Sequence, residues 1–347
     1  MKIIDLFSGI GGFALGLQRA GYQFTEHYFS EIDKHAIANY KHNFPHAKYI
    51  GDITTLHGGD FTDIDIISFG SPCQDFSLAG RRAGLKGAKS SLIAHAIALI
   101  AQLRPSVFIW ENVKGAFSSN ARADFWAILQ AFANIGGYRL EWQLLNTSWV
   151  LPQNRERIYL VGHLGGKSIP GVFHIGENDK LLDRKTREKG WRGGNFKSSL
   201  ARTITARYSK MGSYDTYIVP KVAATLTGGG HSGGLHSDMT VIRQLKRGKN
   251  KGADLKICPT ISSNAFQENN LLNGVRRLTE IECERLQGFP DNWTQYGDYN
   301  GRIRRISKTQ RYKLIGNAVT VDIVELIAKR LKFIIDEFTP YTQEKLV

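Results

Sequence analysis

Lys2-Ile3-Ile4-Asp5-Leu6-Phe7 runs directly into Ser8-Gly9-Ile10-Gly11-Gly12, and this junction decides the fold. The first segment reads as a short apolar strand that ends at a glycine-rich turn. Leu15, Leu17 and Ala20 then continue as a helix stopped by Gly21. A turn of this kind lets a ligand approach backbone N–H groups at the start of a helix. The glycines at 9, 11, 12 and 16 do not have the G-x-G-x-x-G spacing of nicotinamide enzymes, which disfavours an oxidoreductase.

The same alternation continues outward from this turn. The pattern predicts strands at His27–Ser30, Asp65–Phe69, Val107–Trp110, Tyr138–Leu145 and Arg157–Val161. It predicts helices at Asp33–Asn43, N-capped by Asp33, and at Leu92–Leu103 and Ala121–Ile135. Strand–helix alternation over the first 163 residues argues for a doubly wound α/β sheet with ligands at the carboxyl ends of its strands. From about Leu164 to residue 275 the texture changes. Gly, Lys, Arg, Thr and Asn dominate, and short strands such as Thr216–Val219 are separated by glycine turns. Thr279-Glu-Ile-Glu282 is a capping box that opens a helix to Gln287. A last helix over about Thr320–Asp336 carries Ile323, Val324, Ile327, Leu331, Ile334 and Ile335 on one face.

The 347 residues allow two domains, or one large domain with an insertion. No apolar run reaches the ~18 residues of a membrane span, and Met1-Lys2-Ile3-Ile4-Asp5 does not read as a signal peptide. Cys73, Cys258 and Cys283 are odd in number and lack metal-ligand spacing. They argue against a disulfide scaffold or a metal site, and for a reducing, cytoplasmic compartment. The net charge is +15, and residues 164–312 carry 26 basic against 13 acidic side chains. So lopsided a distribution fits a polyanion-binding face.

Chemistry-bearing residues cluster where buried strands end. Glu31 closes the second strand and could take ribose hydroxyls. Asp52 follows a third apolar stretch and could read an adenine amine, although either acid could simply be a solvated surface group. Cys73 lies in Gly70-Ser-Pro-Cys-Gln-Asp-Phe-Ser77, where a proline stiffens the turn after a strand and a thiol can be exposed and activated. Glu111 ends the next strand, and Gln153-Asn-Arg-Glu-Arg157 sets two arginines ahead of another.

These phrases, in order, resemble the cytosine-C5 DNA methyltransferases of prokaryotic or phage type. Asp5–Phe13, Pro72-Cys73-Gln74, Glu111-Asn112-Val113, Gln153-x-Arg155-x-Arg157, Arg277–Pro290 and Gly316-Asn317-Ala-Val319 match the family's signature motifs. Lys89-Ser-Ser-Leu92 departs from the Arg-Gly-x-Leu type of phrase expected there. The resemblance implies a Rossmann-like S-adenosylmethionine-dependent methyltransferase domain, residues 1–163 plus 307–347. A second, smaller, irregular target-recognition domain would span 164–306.

The resemblance also implies roles. Cys73 is the nucleophile, Glu111 the acid at the base's N3, and Arg155 and Arg157 hold the base oxygen and nearby backbone, Arg157 being the stronger candidate for the oxygen. The base that removes the carbon-5 proton is not named by the sequence, and a bound water is the expectation. Phe7, Gly9, Ile10, Gly12, Glu31, Ile32, Asp52, Ile53, Pro72, Leu92, Asn317 and Val319 are expected around S-adenosylmethionine, with no metal. Gln74, Ser77, Arg202 and Arg207 are expected to contact DNA; Arg202 and Arg207 flank Thr203-Ile-Thr205. The implied partners are double-stranded DNA and a possible cognate restriction endonuclease, with the chain expected to be a monomer. A transfer-RNA cytosine methyltransferase is the main alternative. The RNA-acting relatives carry a Cys-Phe-Thr phrase that residues 164–275 lack. A catalytically inactive DNA-binding relative is the other, and it should have lost Cys73, Glu111 or the cofactor turn, all of which stand here.

Overall fold

The structure, a computed structural model, describes residues 1–72, 91–118, 123–165, 171–176 and 276–338, together with short strands at 242–244, 253–255, 258–259 and 270–272. Strands β1 (Lys2–Leu6), β2 (Glu26–Ser30), β3 (Lys48–Tyr49), β4 (Ile66–Gly70), β5 (Val107–Val113), β6 (Tyr138–Asn146) and β8 (Glu156–Leu164) form one seven-stranded sheet. The intervening β7 (Gln153–Asn154) lies outside it. The sheet order is β3-β2-β1-β4-β5-β8-β6. Strands β1 to β5 are parallel, whereas β8 runs antiparallel to both β5 and β6. The central strands β1, β4 and β5 are largely buried and rich in Ile, Leu and Phe, as a sheet covered on both faces requires.

Helices α1 (Gly12–Arg19), α2 (Lys34–Asn43), α3 (Ser91–Leu103), α4 (Lys114–Ser118) and α5 (Ala123–Ala133) follow their strands. Asp33 caps α2 as its sequence position predicts, accepting from the backbone N–H groups of His35 and Ala36. One core joins Ile4, Leu6, Ile67 and Phe69 of the sheet to Ile93, Ala96 and Ile100 of α3 and Phe125, Ile128 and Phe132 of α5. The opposite face is covered from the far end of the sequence by α8 (Val321–Phe338). Its Ile323, Val324, Ile327 and Leu331 pack with Phe13, Ile109 and Val161.

The close approach of α8 to α1 depends on Gly16. A methyl group there would lie 2.6 Å from Val324 Cβ. Two further helices precede α8. The capping box of Thr279 and Glu282 opens α6 (Glu280–Leu286) in both directions, and α7 spans Lys308–Asn317.

Residues 278–306, which the sequence reading assigns to the second domain, pack on the sheet domain. Asn39 Nδ2 donates to the carbonyls of Trp293 (2.9 Å) and Tyr296 (2.8 Å), and Trp293 Nε1 donates to Ile10 O (2.9 Å). A small hairpin, Tyr296–Asp298 paired with Ile303–Arg305, lies against α2. Between them, strands at 242–244, 253–255, 270–272 and 276–277 form a separate antiparallel sheet.

Candidate active site

The turn after β1 leaves the ordinary backbone regions three times, with φ 50° at Phe7, 55° at Gly9 and 83° at Gly11. Gly11 fits beneath the rings of Phe44 and Tyr40, where a side chain would collide. Gly9 is the opposite case, since nothing lies within 4 Å of the position a Cβ would take. Its backbone therefore faces open space at the rim of the sheet. Glu31, at the end of β2, ties this turn to α2. Its Oε2 accepts from Gly9 N–H (2.9 Å), and its Oε1 accepts from Ile32 N–H (2.8 Å) and Asp33 N–H (2.9 Å). A carboxylate has about four acceptor positions, so one on Oε2 remains. Asp52 uses Oδ1 to cap the short turn at Ile53–Thr55.

Two features of this rim bear on the fit of a ligand such as an adenosyl group. Ser8 Oγ is buried in the turn without a hydrogen-bond partner, and Ile32 is 73% exposed immediately beside Glu31. An orphaned hydroxyl and an uncovered apolar side chain next to a half-used carboxylate fit a ligand that is both polar and aromatic.

The far end of the sequence closes the same rim. Val319 packs against Gly12, where a Cβ would meet its Cγ2 at 2.6 Å, and approaches Gly70. Asn317 ends α7 with its side chain exposed. Arg155 holds this segment: the buried guanidinium donates from Nη2 to Ala318 O (2.7 Å) and from Nη1 to Gly316 O (3.4 Å). Gln153 donates from Nε2 to Leu286 O (2.8 Å), fixing α6 alongside.

Glu111 stands two strands from β1, near the carboxyl end of β5. Arg157 lies diagonally across from it on the antiparallel β8, in whose register Glu111 faces Tyr159 and Val113 faces Arg157. Arg157 Nε is 3.1 Å from Glu111 Oε1. The approach is an ion-pair contact outside hydrogen-bond angles, so Oε1 is buried with no hydrogen-bond donor. Burial raises the Glu111 pKa above the ordinary glutamate range, with the charges of Arg157 and Arg155 pulling the other way. An open cavity of about 250 Å³ lies beside this pair, lined by Val113, Lys114, Gly115, Asn154, Glu156 and Arg157. Ser71 anchors the chain before Pro72 to β5, its Oγ accepting from Trp110 Nε1 (3.0 Å) and Asn112 Nδ2 (3.1 Å).

The rim thus gathers Phe7, Gly9, Gly12, Glu31, Ile32, Asp52, Pro72, Glu111, Arg155, Arg157, Asn317 and Val319 from the sequence reading. Ile10 and Ile53 are buried in the core, and Leu92 is partly buried against it. Cys73, Gln74, Ser77, Arg202, Arg207 and the strand expected at Thr216–Val219 lie outside the described residues. Ser8, Ser71 and Asn112 are additions. Their significance comes from tertiary hydrogen bonds or the lack of one, although each stands within a phrase that the sequence reading quotes. Cys283 is a buried thiol in α6 and is in no disulfide.

A glycine-turn rim on a sheet of this order is a Rossmann-like arrangement, in which ligands bind beyond the carboxyl ends of the strands, and here a buried acid–arginine pair stands two strands from the turn. The sequence profile of the C-5 cytosine-specific DNA methylases matches residues 1–333. Relatives along the whole length include the Type II methyltransferase M.Bsp6I of Bacillus sp. (strain RFL6), 29% identical over 343 residues, covering 95% of this chain and 98% of that protein. The Type II methyltransferase M1.ScrFI of Lactococcus lactis subsp. cremoris is 31% identical over 346 residues, covering 97% and 79%. The crystal structure of a prophage-encoded DNA modification methyltransferase (E. coli) shares the fold, with a TM-score of 0.64 at 24% identity, covering 97% of this chain and all of that one. The chain belongs to the C-5 cytosine-specific DNA methylases. It is therefore a DNA cytosine-C5 methyltransferase, and its family implies S-adenosylmethionine as methyl donor.

Proposed function

We propose that the chain methylates a cytosine flipped out of duplex DNA, with Cys73 as nucleophile and Glu111 as acid, in a restriction–modification or phage modification setting. Carbon 5 of cytosine is a poor nucleophile. Addition of the Cys73 thiolate to carbon 6 forms an S–C6 bond and moves an electron pair into the ring, which Glu111 accommodates by sharing its proton with N3. Carbon 5 then has enamine character. S-adenosylmethionine, when bound, supplies an electrophilic methyl group to that carbon. Loss of the carbon-5 proton to a water returns the pair and expels Cys73.

Glu31, Asp52 and the backbone of the Gly9 turn would hold the ribose and adenine, with Ile32 covering the ring and Val319 and Asn317 closing the pocket. Arg157 would orient Glu111 and meet the base oxygen. Residues in 164–275, Arg202 and Arg207 among them, would read the sequence from a second domain. The target must leave the stack, at a cost of a few kcal/mol that basic contacts offset.

The observation that carries this reading is Glu111: a buried acid with a raised pKa and a donorless oxygen, near the strand end next to the one that leads to Cys73. A duplex with 5-fluorocytosine at the methylated position, found first by bisulfite sequencing of DNA from expressing cells, tests it. Fluorine cannot leave as a proton, so the wild-type chain is expected to remain covalently bound through Cys73, and Cys73→Ala to form no adduct. An adduct on Cys258 or Cys283, or turnover by Cys73→Ala, would remove Cys73 from the mechanism.

A further inference from the structure

The hairpin Tyr296–Asp298/Ile303–Arg305 carries part of the basic excess, and it does so on the sheet domain. Residues 301–305, Gly-Arg-Ile-Arg-Arg, are all exposed, and Ile303 is 56% exposed. Arg302, Arg304 and Arg305 form no ion pair among the described residues; Arg305 lies over the Tyr296 ring, 5.8 Å from its centroid. Asp298 is the only acid of the hairpin, and its Oδ1 is engaged by Gly301 N–H (2.6 Å). Three arginines are thus held close together on one short ribbon against a single acid, and none of them is ion-paired among the described residues.

The ribbon is firmly mounted. Gly297 rests on Ala38, 2.9 Å from where its own Cβ would be, and Asn39 grips Tyr296 O. Ile306, directly after the second strand, is buried in the core beside Ile10 and Ala36. Tyr299, at the tip, bonds through its hydroxyl to His35 Nδ1 (2.6 Å) in the first turn of α2. That turn follows the carboxyl end of β2, where Glu31 and Ile32 stand. The tip therefore projects at the rim of the sheet that carries the site.

We propose that this hairpin is a second DNA-contacting element, separate from the recognition region, which binds the phosphodiester backbone of duplex flanking the target cytosine. Exposed, unpaired arginines on a rigid support match phosphate oxygens by charge and by hydrogen-bonding geometry, and such contacts position a protein without reading bases. The inference rests on the DNA methyltransferase reading above.

The test compares the wild-type chain with the triple variant Arg302→Gln, Arg304→Gln, Arg305→Gln. Binding to duplexes with short and with long flanks is measured across a salt series, alongside methylation and S-adenosylmethionine affinity. The wild-type chain is expected to methylate DNA and to bind long duplexes more tightly than short ones. The variant should lose that gain, and its log K against log salt slope on long duplex should fall by about 2–3, near 0.9 per phosphate contact. The methylated motif, the rate at saturating DNA and the cofactor affinity should stay unchanged. An unaltered slope and flank dependence would overturn the proposal, and so would a change confined to cofactor affinity, which would assign the arginines to the cofactor mouth. A wild-type chain that does not methylate DNA would instead sink the parent reading.

Discussion

Asp5 and Glu111 are buried carboxyls on the same sheet, and burial is the main cause that raises the pKa of each. Asp5 is completely buried, accepts from Ser68 Oγ (3.0 Å) and Tyr40 OH (3.0 Å), and is pushed up to about 8, burial being the main cause. His27, in contact with Tyr40 OH (2.7 Å), is pushed down to about 4 by burial. The stability consequences have opposite signs. Between pH 3.8 and about 8 the folded chain keeps a proton on Asp5 that the unfolded chain has released, so stability falls as pH rises, by at most about 1.4 kcal/mol per pH unit. Between about 4 and 6.5 the unfolded chain instead holds an extra proton on His27, so stability rises with pH. The two slopes oppose each other in the shared interval, and the Asp5 slope stands alone from 6.5 to about 8. Asp5→Asn keeps an acceptor for Ser68 and should flatten the urea midpoint over that upper interval; a decline as steep as wild type would show that Asp5 does not titrate there. Glu111 differs in the chemical role proposed for it above. The protonated form persists to higher pH than in an ordinary glutamate and is lost as pH climbs through the raised value. Glu111→Gln should lower the single-turnover rate by roughly 10²–10⁴ and abolish the alkaline limb governed by that proton. A rate within about tenfold of wild type would leave N3 protonation to another group.

At the scale of elements, the reversal of β8 is what brings the arginines to the acid. A parallel strand here would start at the amino rim, whereas antiparallel β8 starts opposite Val113, at the carboxyl end of β5. Arg157 and Arg155 then part company. Arg157 reaches Glu111, while Arg155 is committed to the carbonyls of Gly316 and Ala318, on the segment that presents Asn317 and Val319. Arg155 thus positions the segment that, on the mechanism proposed above, would form the cofactor wall. Arg155→Lys keeps the charge but loses the fork, and losing one charge-assisted hydrogen bond should weaken S-adenosylmethionine binding by roughly tenfold. The rate at saturating cofactor and DNA should stay within a few-fold, with an unchanged circular dichroism spectrum. A raised KM for DNA with unaltered cofactor affinity would return Arg155 to the base pocket. The strands and most helices around these residues were readable because buried Ile, Val, Leu and Phe recur at the proper periods. Helix α7 was not, because Lys308-Thr-Gln-Arg-Tyr-Lys313 has no apolar stripe until Leu314. The hairpin was not, because Tyr296-Gly-Asp-Tyr-Asn-Gly-Arg-Ile-Arg-Arg305 lacks alternation and is held by α2 across contacts that span 257 and 264 residues of sequence.

Across the whole molecule, the rim residues were legible wherever a motif marks a strand end, as at Gly9, Glu31, Glu111 and Arg157. The division of labour among them was not, since it depends on which carbonyl or hydroxyl each side chain meets. Neither the burial of Ser8 nor the three ties on Glu31 has a local sequence signal. The basic excess was legible as a total but not in its placement, because residues 278–306 pack on the sheet domain. The packing of α8 on α1, with Val319 against Gly12, has a consequence in time. A ribosome makes the Gly9 turn, the Cys73 segment, Glu111 and both arginines well before it makes Asn317, Val319 and α8. A nascent chain that already holds those residues therefore still lacks the helix that covers one face of its sheet and, on the mechanism proposed above, one wall of its donor pocket. On the mechanism proposed above, methyl transfer would become possible only once residues 164–319 have all been synthesised.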